Sequence, residues 1–198
     1  MLSSAGKKRR KGVRVPQQLP NYLRPGLAVV FVGFNPGERS ARVGHYYAGR
    51  GNQFWNFLYE SGLLKEKLGP TEDHRMLKFG FGLTDLVKRW SKSATDLQLH
   101  EFRRGQVLLG DRLQAVARGA RVFAFNGKGV YEKFRRCEVR LGWQRERLWG
   151  ARVFVLPSTS GRNGSLTRAE KLRYFRRLAE WVELDARRCS SRGNARPD

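Results

Sequence analysis

The chain has 198 residues, of which 40 are Lys or Arg and 17 are Asp or Glu, so its formal net charge is +23. This length suits one domain with a full core, no apolar run is long enough to span a membrane, and the first residues lack the apolar stretch of a signal peptide. Cys137 and Cys189 have no partner spacing, and the three histidines are scattered, which argues against a disulfide framework or a metal site. We expect a reducing location: the cytoplasm, with the nucleoid in a prokaryote, or the nucleus in a eukaryote.

The basic charge is not confined to the chain ends. Residues 1–24 are predicted to be a flexible basic arm and residues 186–198 a flexible basic tail, on either side of one domain at 25–185. The first 20 residues carry six positive charges without an acid and the last 13 carry a net three, which leaves +14 on the remainder. A polyanion is therefore the expected partner of the domain itself, and a merely solubilising surface is the alternative.

Strand and helix patterns alternate along the domain. Apolar, β-branched runs predict strands, and apolar residues at helical spacing predict helices. The predicted strands are 28–34, 81–86, 121–125 and 151–156, with an extended stretch at 141–149; the predicted helices are 53–61, 99–118, one from 126 and one from about 166 to 182. Residues 35–52 are predicted to be a loop, and 63–78 a loop with a short helix. This order predicts an α/β three-layer sandwich, with a mainly parallel sheet between helices.

Polar residues follow four of the predicted strands. They are Asn35, Asp85, Asn126 and Ser158. The carboxyl ends of parallel strands lie at one edge of a sheet, so these residues should converge on one site. The first of them stands in Gly-Phe-Asn-Pro-Gly, which by itself is either the floor of a pocket or an ordinary turn. The Asn126-Gly-Lys-Gly segment also fits a nucleotide-binding loop, but the full phosphate-loop spacing is missing.

Longer motifs resolve part of this ambiguity. GFNPGERSA followed by GHYYAGRGNQFW closely resembles the mismatch-specific uracil/thymine-DNA glycosylases of the uracil-DNA glycosylase superfamily. The resemblance continues through GFGLTDLV, AFNGKGVYEKF and LPSTSGRNG and covers roughly residues 26–184. It implies a uracil-DNA glycosylase-like fold and a monomeric, monofunctional enzyme without cofactor or metal. Such an enzyme hydrolyses the N-glycosidic bond of uracil, or of thymine or modified pyrimidines, opposite guanine in double-stranded DNA, and so initiates base-excision repair.

The resemblance also assigns roles at the base. Asn35 matches the residue that orients the attacking water, and its alternative role is to cap the turn. Tyr47 matches the aromatic residue that stacks on the flipped base, although it could instead pack on the sheet. Gly33 and Phe34 would offer main-chain groups to the pyrimidine, and Thr84 and Ser158 are further substrate contacts.

Asp85 departs from the family pattern, in which Asn or Lys is common at this position. One hypothesis is that its carboxylate reaches the water or the developing sugar cation and supplies the base that the neutral amide of Asn35 cannot be. The alternative is an ordinary ion pair with one of the many arginines. The sequence leaves both open.

The closing loop resembles the family's insertion loop, which enters the space left by the flipped nucleotide. Arg162 would be the plug, with Gly161 and Asn163 beside the orphaned guanine and Ser160 also on the DNA; a solvated surface arginine is the alternative. Lys128, at a predicted helix start, is placed for a phosphate. The rival function from another class is a non-catalytic, basic nucleic-acid-binding module on the same scaffold.

Overall fold

The computed structural model describes residues 18–193, with side chains as far as Arg188. The predicted arm up to residue 17, the end of the predicted tail from residue 194 and the side chain of Cys189 lie outside the described residues. Within the described range, no helix combines the length and apolar character needed to cross a bilayer.

A five-stranded sheet forms the centre of the described domain. Its strands are β1 (Val29–Gly33), β2 (Phe81–Asp85), β3 (Val122–Asn126), β4 (Gly142–Leu148) and β5 (Ala151–Leu156), in the order β2-β1-β3-β5-β4. The first four strands of this order are parallel, and β4 pairs with β5 in antiparallel fashion at the edge. The parallel strands are buried along nearly their whole length, which is why they consist of continuous apolar runs.

Helices cover both faces of this sheet. They are α1 (Glu38–Val43), α2 (Phe54–Glu60), α3 (Leu99–Ala117), α4 (Lys128–Arg135) and α5 (Arg168–Gly193), with 3₁₀ segments at Pro70–Phe79 and Ala94–Asp96. One face packs against α2, α5 and the longer 3₁₀ segment around Phe31 and Phe175. The other packs against α3 and α4 around Val32 and Phe125. This arrangement confirms the predicted α/β three-layer sandwich.

The structure also corrects several predicted boundaries. The predicted loop at 35–52 contains the short helix α1, and 70–79 is a long 3₁₀ segment. The last residues of the predicted arm pack on the domain, because Leu19 is buried and the backbone of Tyr22 pairs with that of Leu83. At the other end, α5 continues to Gly193, through the first part of the predicted tail.

The sheet register fixes which strand ends face each other. Gly33 at the end of β1 is level with Asp85 at the end of β2, and Asn126 at the end of β3 is level with Leu156 at the end of β5. The four parallel strands therefore end at a common edge, which supports a site built by the loops that follow them.

Candidate active site

A cavity of about 580 Å³ opens at the carboxyl edge of the parallel strands. We call it the carboxyl-edge cavity. The ends of β1, β2 and β3 and the loops that follow β1, β2 and β5 form its wall. Nine of the predicted site residues line it: Phe34, Asn35, Tyr47, Asp85, Lys128, Ser158, Ser160, Arg162 and Asn163. The structure thus brings most of the predicted site together.

The amide of Asn35 is held in one orientation. Its Nδ2 donates to the Oγ of Ser91 at 2.8 Å and to the carbonyl oxygen of Arg89 at 3.1 Å. The Ser91 hydroxyl is itself a donor to the carbonyl of Ser93, so it must accept from Asn35. Both amide hydrogens are therefore used, and the Oδ1 of Asn35 accepts no hydrogen bond from the described residues. A fixed acceptor that is free for a water molecule faces this cavity.

Asp85 is a buried carboxylate at the end of β2. Its side chain lies beneath the cavity, and its Oδ2 is buried without a hydrogen-bond partner among the described residues. Burial raises the pKa of Asp85 to about 6, while the positive charges of Lys88 and Arg112 oppose that shift. The carboxylate forms no ion pair within the described residues. An ordinary salt bridge, which the sequence left open for Asp85, is therefore not what the structure shows.

A cluster of cations lies on the far side of Asp85. Arg112 donates to the main-chain carbonyl of Asp85 and to the hydroxyl of Thr84, both at 3.0 Å. Lys88 donates to the hydroxyl of Tyr46 at 3.0 Å and to the Oδ1 of Asn21 at 3.1 Å. Burial lowers the pKa of Lys88 to about 8, against the attraction of Asp85, so both cations remain largely charged at neutral pH. They favour the ionised carboxylate without contacting its oxygens.

Tyr47 closes the other side of the cavity. Its ring stacks on Phe54, with centroids 3.8 Å apart and planes inclined by 26°. Its backbone has a φ of 53°, in the left-handed region, and its hydroxyl is buried without a partner among the described residues. Burial raises the pKa of Tyr47, with a contribution from the charge of Asp85, so the phenol stays protonated. Tyr47 therefore packs on Phe54 and also lines the cavity, and its stacking on a flipped base stays a prediction.

The loop that carries Tyr47 is anchored by a buried acid. Asp73 accepts hydrogen bonds from the main-chain N–H of Tyr46 at 2.9 Å and from the hydroxyl of Tyr22 at 3.0 Å. The Nδ1 of His45 lies 3.2 Å from the same carboxylate. His45 does not line the cavity; it contacts Asp73 and so helps to hold the loop. Asp73 thus holds the backbone on the N-terminal side of Tyr47.

The closing loop after β5 is tied to its surroundings at several points. The Thr159 carbonyl accepts from the N–H of Gln53 at 2.9 Å, and the Thr159 hydroxyl accepts from Asn126 at 2.9 Å. The Arg162 guanidinium is exposed at the cavity mouth and donates to the carbonyl of Lys92 at 3.0 Å. It has no carboxylate partner among the described residues, so its charge is available at the mouth. Asn163 uses its side-chain oxygen within the loop, on Ser165.

Two further predicted residues lie at the cavity wall. Lys128 is the first residue of α4, half-exposed, and forms an i,i+4 ion pair with Glu132 at 3.2 Å. Phe34 packs edge-to-face on Phe102 of α3, with centroids 5.5 Å apart. The Phe34 carbonyl already accepts from the N–H of Val87. A contact between this carbonyl oxygen and a base, as predicted, would therefore use the second lone pair of the oxygen.

Three predicted residues do not line the cavity. Thr84 lies on the α3 face of the sheet, where its hydroxyl donates to Asn21, because successive side chains of a strand point to opposite faces. Gly33 is covered: a Cβ there would overlap the Oδ1 of Asp85 and lie 3.1 Å from the Tyr47 hydroxyl. Gly161 packs against the backbone of Gly51, whose carbonyl oxygen would be 3.0 Å from an added Cβ. Gly33 and Gly161 therefore allow close packing around the cavity.

Several residues of the site carried no motif in the sequence. Ser91 orients Asn35, and Lys88 and Arg112 flank Asp85. Lys88 and Ser91 lie in the loop after β2, and Arg112 lies on the long helix α3. Each has many other polar residues near it in the sequence. The only sequence signal for Lys88 was its position three residues after Asp85. Asn126 was expected at this edge, and its Oδ1 is a third buried polar atom without a partner in the described range. No group of three His, Cys, Asp or Glu side chains that could hold a metal ion occurs among residues 18–193.

The chain is similar to known proteins over most of its length. The family model of the uracil DNA glycosylase superfamily matches residues 20–183. A solution structure from Methanosarcina acetivorans, provisionally described as a uracil DNA glycosylase, has 23% sequence identity and a TM-score of 0.53. The match covers 82% of this chain and 97% of that one. This structural likeness agrees with the predicted type of fold.

Proposed function

The chain belongs to the uracil DNA glycosylase superfamily, and we propose that it is a monofunctional DNA glycosylase acting on uracil mispaired with guanine. Thymine or modified pyrimidines opposite guanine are further substrates. The product is an abasic site in double-stranded DNA, from which base-excision repair begins. The chain acts as a monomer and needs no cofactor.

One observation carries this proposal. The free Oδ1 of Asn35, the carboxylate of Asp85 and the ring of Tyr47 border a single cavity of about 580 Å³. A base inside a duplex is out of reach of any enzyme group, so it has to rotate out of the stack into a pocket. Tyr47, already stacked on Phe54, offers a rigid aromatic wall for such a base. Stacking of this kind contributes about 1–3 kcal/mol per base.

The chemistry follows from charge development. As the N-glycosidic bond breaks, its electron pair leaves with the base and the sugar becomes cationic. Asn35 accepts a hydrogen bond from a water and directs the lone pair of that water toward the sugar. Water forms the new bond to the sugar carbon, and its proton passes to Asp85, which is mostly ionised at pH 7 because its pKa is about 6. The negative charge of Asp85 also stabilises the sugar cation before the water arrives.

The cavity mouth supplies the contacts to DNA. Arg162 enters the gap left by the flipped nucleotide, with Ser160 and Asn163 next to the orphaned guanine. Lys128 binds a phosphate together with the first N–H groups of α4. Positive charge at the mouth attracts the backbone irrespective of sequence, so the mispair is selected by the lower cost of extracting a weakly paired base.

A panel of labelled oligonucleotides tests this proposal. Duplexes with one G·U, G·T or A·U pair, and single strands with one uracil, are incubated with the protein and then treated with alkali. We expect cleavage at the uracil of the G·U duplex after alkali and none before it, because a monofunctional enzyme leaves the strand intact. Absence of alkali-labile sites in all four substrates would contradict the glycosylase assignment. Equal rates on the G·U duplex, the A·U duplex and the single strand would contradict the mismatch preference but not the glycosylase assignment.

A further inference from the structure

A second cavity, of about 390 Å³, lies at the opposite edge of the sheet. We call it the amino-edge cavity. It is formed by the start of β3, the turn between β4 and β5 and the second half of α5, and it is lined by Ala120, Arg121, Arg147, Gly150, Arg152, Trp181, Leu184, Asp185 and Arg188. Four of these residues are arginines and one is an acid. The concave surface therefore carries a local excess of positive charge that the family assignment leaves unexplained.

Arg152 is the one of these arginines for which ring contacts are found in the described part of the cavity. Its guanidinium carbon lies 4.3 Å from the ring centre of Trp143 and 5.3 Å from that of Trp181. Two indole faces hold a planar cation in one orientation, because the electrons of each ring face attract the positive charge. None of the guanidinium N–H groups of Arg152 has an acceptor among the described residues. The site therefore presents a fixed fork of donors for which the described residues supply no acceptor.

The neighbouring arginines leave the excess charge in place. Arg121 pairs with Asp185 at 2.8 Å, which uses the one acid of the cavity. Arg147 donates to the main-chain carbonyl of Gly150 at 3.0 Å, which is a neutral partner. Neither Arg147 nor Arg188 meets a carboxylate within the described part of the chain. Three guanidinium groups around one hollow repel each other, and a bound anion would relieve that repulsion.

We propose that the amino-edge cavity is a second phosphate-binding site, which binds a phosphodiester of a DNA segment other than the one seated in the carboxyl-edge cavity. The planar fork of a guanidinium matches two oxygens of one phosphate. The two cavities lie at opposite ends of five- and six-residue strands, roughly 17–20 Å apart along the sheet. They therefore contact separate phosphates. The inference rests on the proposed function only in taking DNA as the source of the phosphate.

The indole N–H signals of Trp143 and Trp181 give a local test. The full chain, labelled with ¹⁵N, is titrated with a uracil-free 10-base-pair duplex and, separately, with inorganic phosphate. We expect the duplex to shift both signals at low salt, and Arg152→Gln and Arg147→Gln each to weaken this titration at least about tenfold. Arg176→Gln, an equal charge change at an exposed position of α5, is the matched control and should leave the titration within about twofold.

Three results would overturn the proposal. They are no shift of either indole with the duplex, saturation by inorganic phosphate without any response to the duplex, and equal weakening by Arg176→Gln. If Arg152→Gln does not fold, Arg147→Gln, whose side chain is exposed near the end of β4, gives the same test. The probe contains no uracil, so the result is independent of excision. A protein that binds the duplex here but leaves every uracil substrate intact would contradict the proposed function and not this site.

Discussion

Asp85 combines burial with nearby positive charge. Removal from water raises the pKa of the carboxyl and so favours its neutral form, which cannot take a proton from water. Lys88 and Arg112 offset enough of that cost to keep its pKa at about 6, within reach of neutral pH. A base with a pKa just below the working pH is mostly ionised and still basic enough to accept a proton.

The first prediction concerns the pH dependence of excision. Because Asp85 must be ionised to act, the single-turnover rate should rise as the pH increases toward about 6 and level off above it. Asp85→Asn should lack this rise and be slower at pH 7 by at least about 100-fold. Asp111→Asn, at an exposed position of α3, is the matched control and should keep the wild-type profile. Wild-type activity in Asp85→Ala would remove Asp85 from the mechanism.

The second prediction concerns stability at the same residue. The folded protein binds the Asp85 proton more tightly than the unfolded chain, in which the pKa is near 3.8. The contribution of Asp85 to the stability of the wild-type protein therefore falls as the pH rises from about 4 to about 6, by up to about 3 kcal/mol. Asp85→Asn should avoid this loss. In urea unfolding, its stability relative to wild type should increase between pH 4 and pH 7; a constant difference would show that burial does not penalise the Asp85 charge.

Single residues also show how far sequence reasoning reached. The motif placed Asn35 at the cavity, but the orientation of its amide depends on Ser91 and the carbonyl of Arg89, more than 50 positions away. Thr84 was assigned to the base because it precedes Asp85, yet neighbouring residues of a strand face opposite sides. The orientation of Asn35 depends on long-range hydrogen bonds, and the position of Thr84 depends on which face of the strand its side chain takes. Neither property appears as a motif in the sequence.

At the scale of elements, the ends of β1 and β2 form the floor of the site. Gly33 and Asp85 are level in the parallel register, and only the missing side chain at Gly33 leaves room for the carboxylate and for the Tyr47 hydroxyl. The pairing of the two strands therefore places the acid under the cavity. Glycine at position 33 therefore makes room for the Asp85 carboxylate, in addition to letting the backbone approach a ligand closely.

The third prediction follows from this close approach. Gly33→Ala should destabilise the domain by about 1–3 kcal/mol and displace Asp85, since a buried carboxylate between two strands has little room to move. Excision should fall together with thermal stability. Gly69→Ala is the control, because a Cβ there meets no atom within 4 Å. A Gly33→Ala protein as stable and active as Gly69→Ala would contradict the packing argument.

The elements that the sequence predicted well are the ones with long apolar patterns. The four parallel strands and helices α2 and α3 lie within one or two residues of their predicted bounds, and α4 begins two residues after its predicted start. Helix α1 was missed because six residues, with Ser40 and Ala41 as its buried members, do not establish a periodicity. The 3₁₀ segment at Pro70–Phe79 has mixed polarity and is fixed by tertiary contacts of Asp73, which a local pattern does not contain.

At the scale of the whole molecule, charge governs encounter with DNA. The chain carries +23 formally, and Arg162 at the cavity mouth lacks a carboxylate partner among the described residues. Release of counterions from DNA then makes the affinity depend steeply on salt. The sequence predicted this property directly, because net charge needs no fold, whereas the separation of basic residues into two cavities became visible only in the structure.

The fourth prediction is a strong salt dependence of binding. With four or more phosphates contacted, the dissociation constant for a G·U duplex should rise about 100-fold or more between 50 and 200 mM NaCl. Fluorescence anisotropy at four salt concentrations gives the slope. Lys128→Gln, which removes the proposed phosphate contact, should reduce this slope by about one, and a slope near zero for the wild-type protein would exclude binding through the phosphate backbone.

The most direct measurement compares binding and excision in Asn35→Ala on a duplex with one G·U pair. Because the proposed role of Asn35 is to orient water and not to bind DNA, we expect a dissociation constant within about twofold of wild type. The single-turnover excision rate should be lower by at least about 100-fold. Asn56→Ala, which changes an amide on α2 outside the cavity, should match wild type in both. An Asn35→Ala protein that binds and excises uracil as the wild type does would contradict the account.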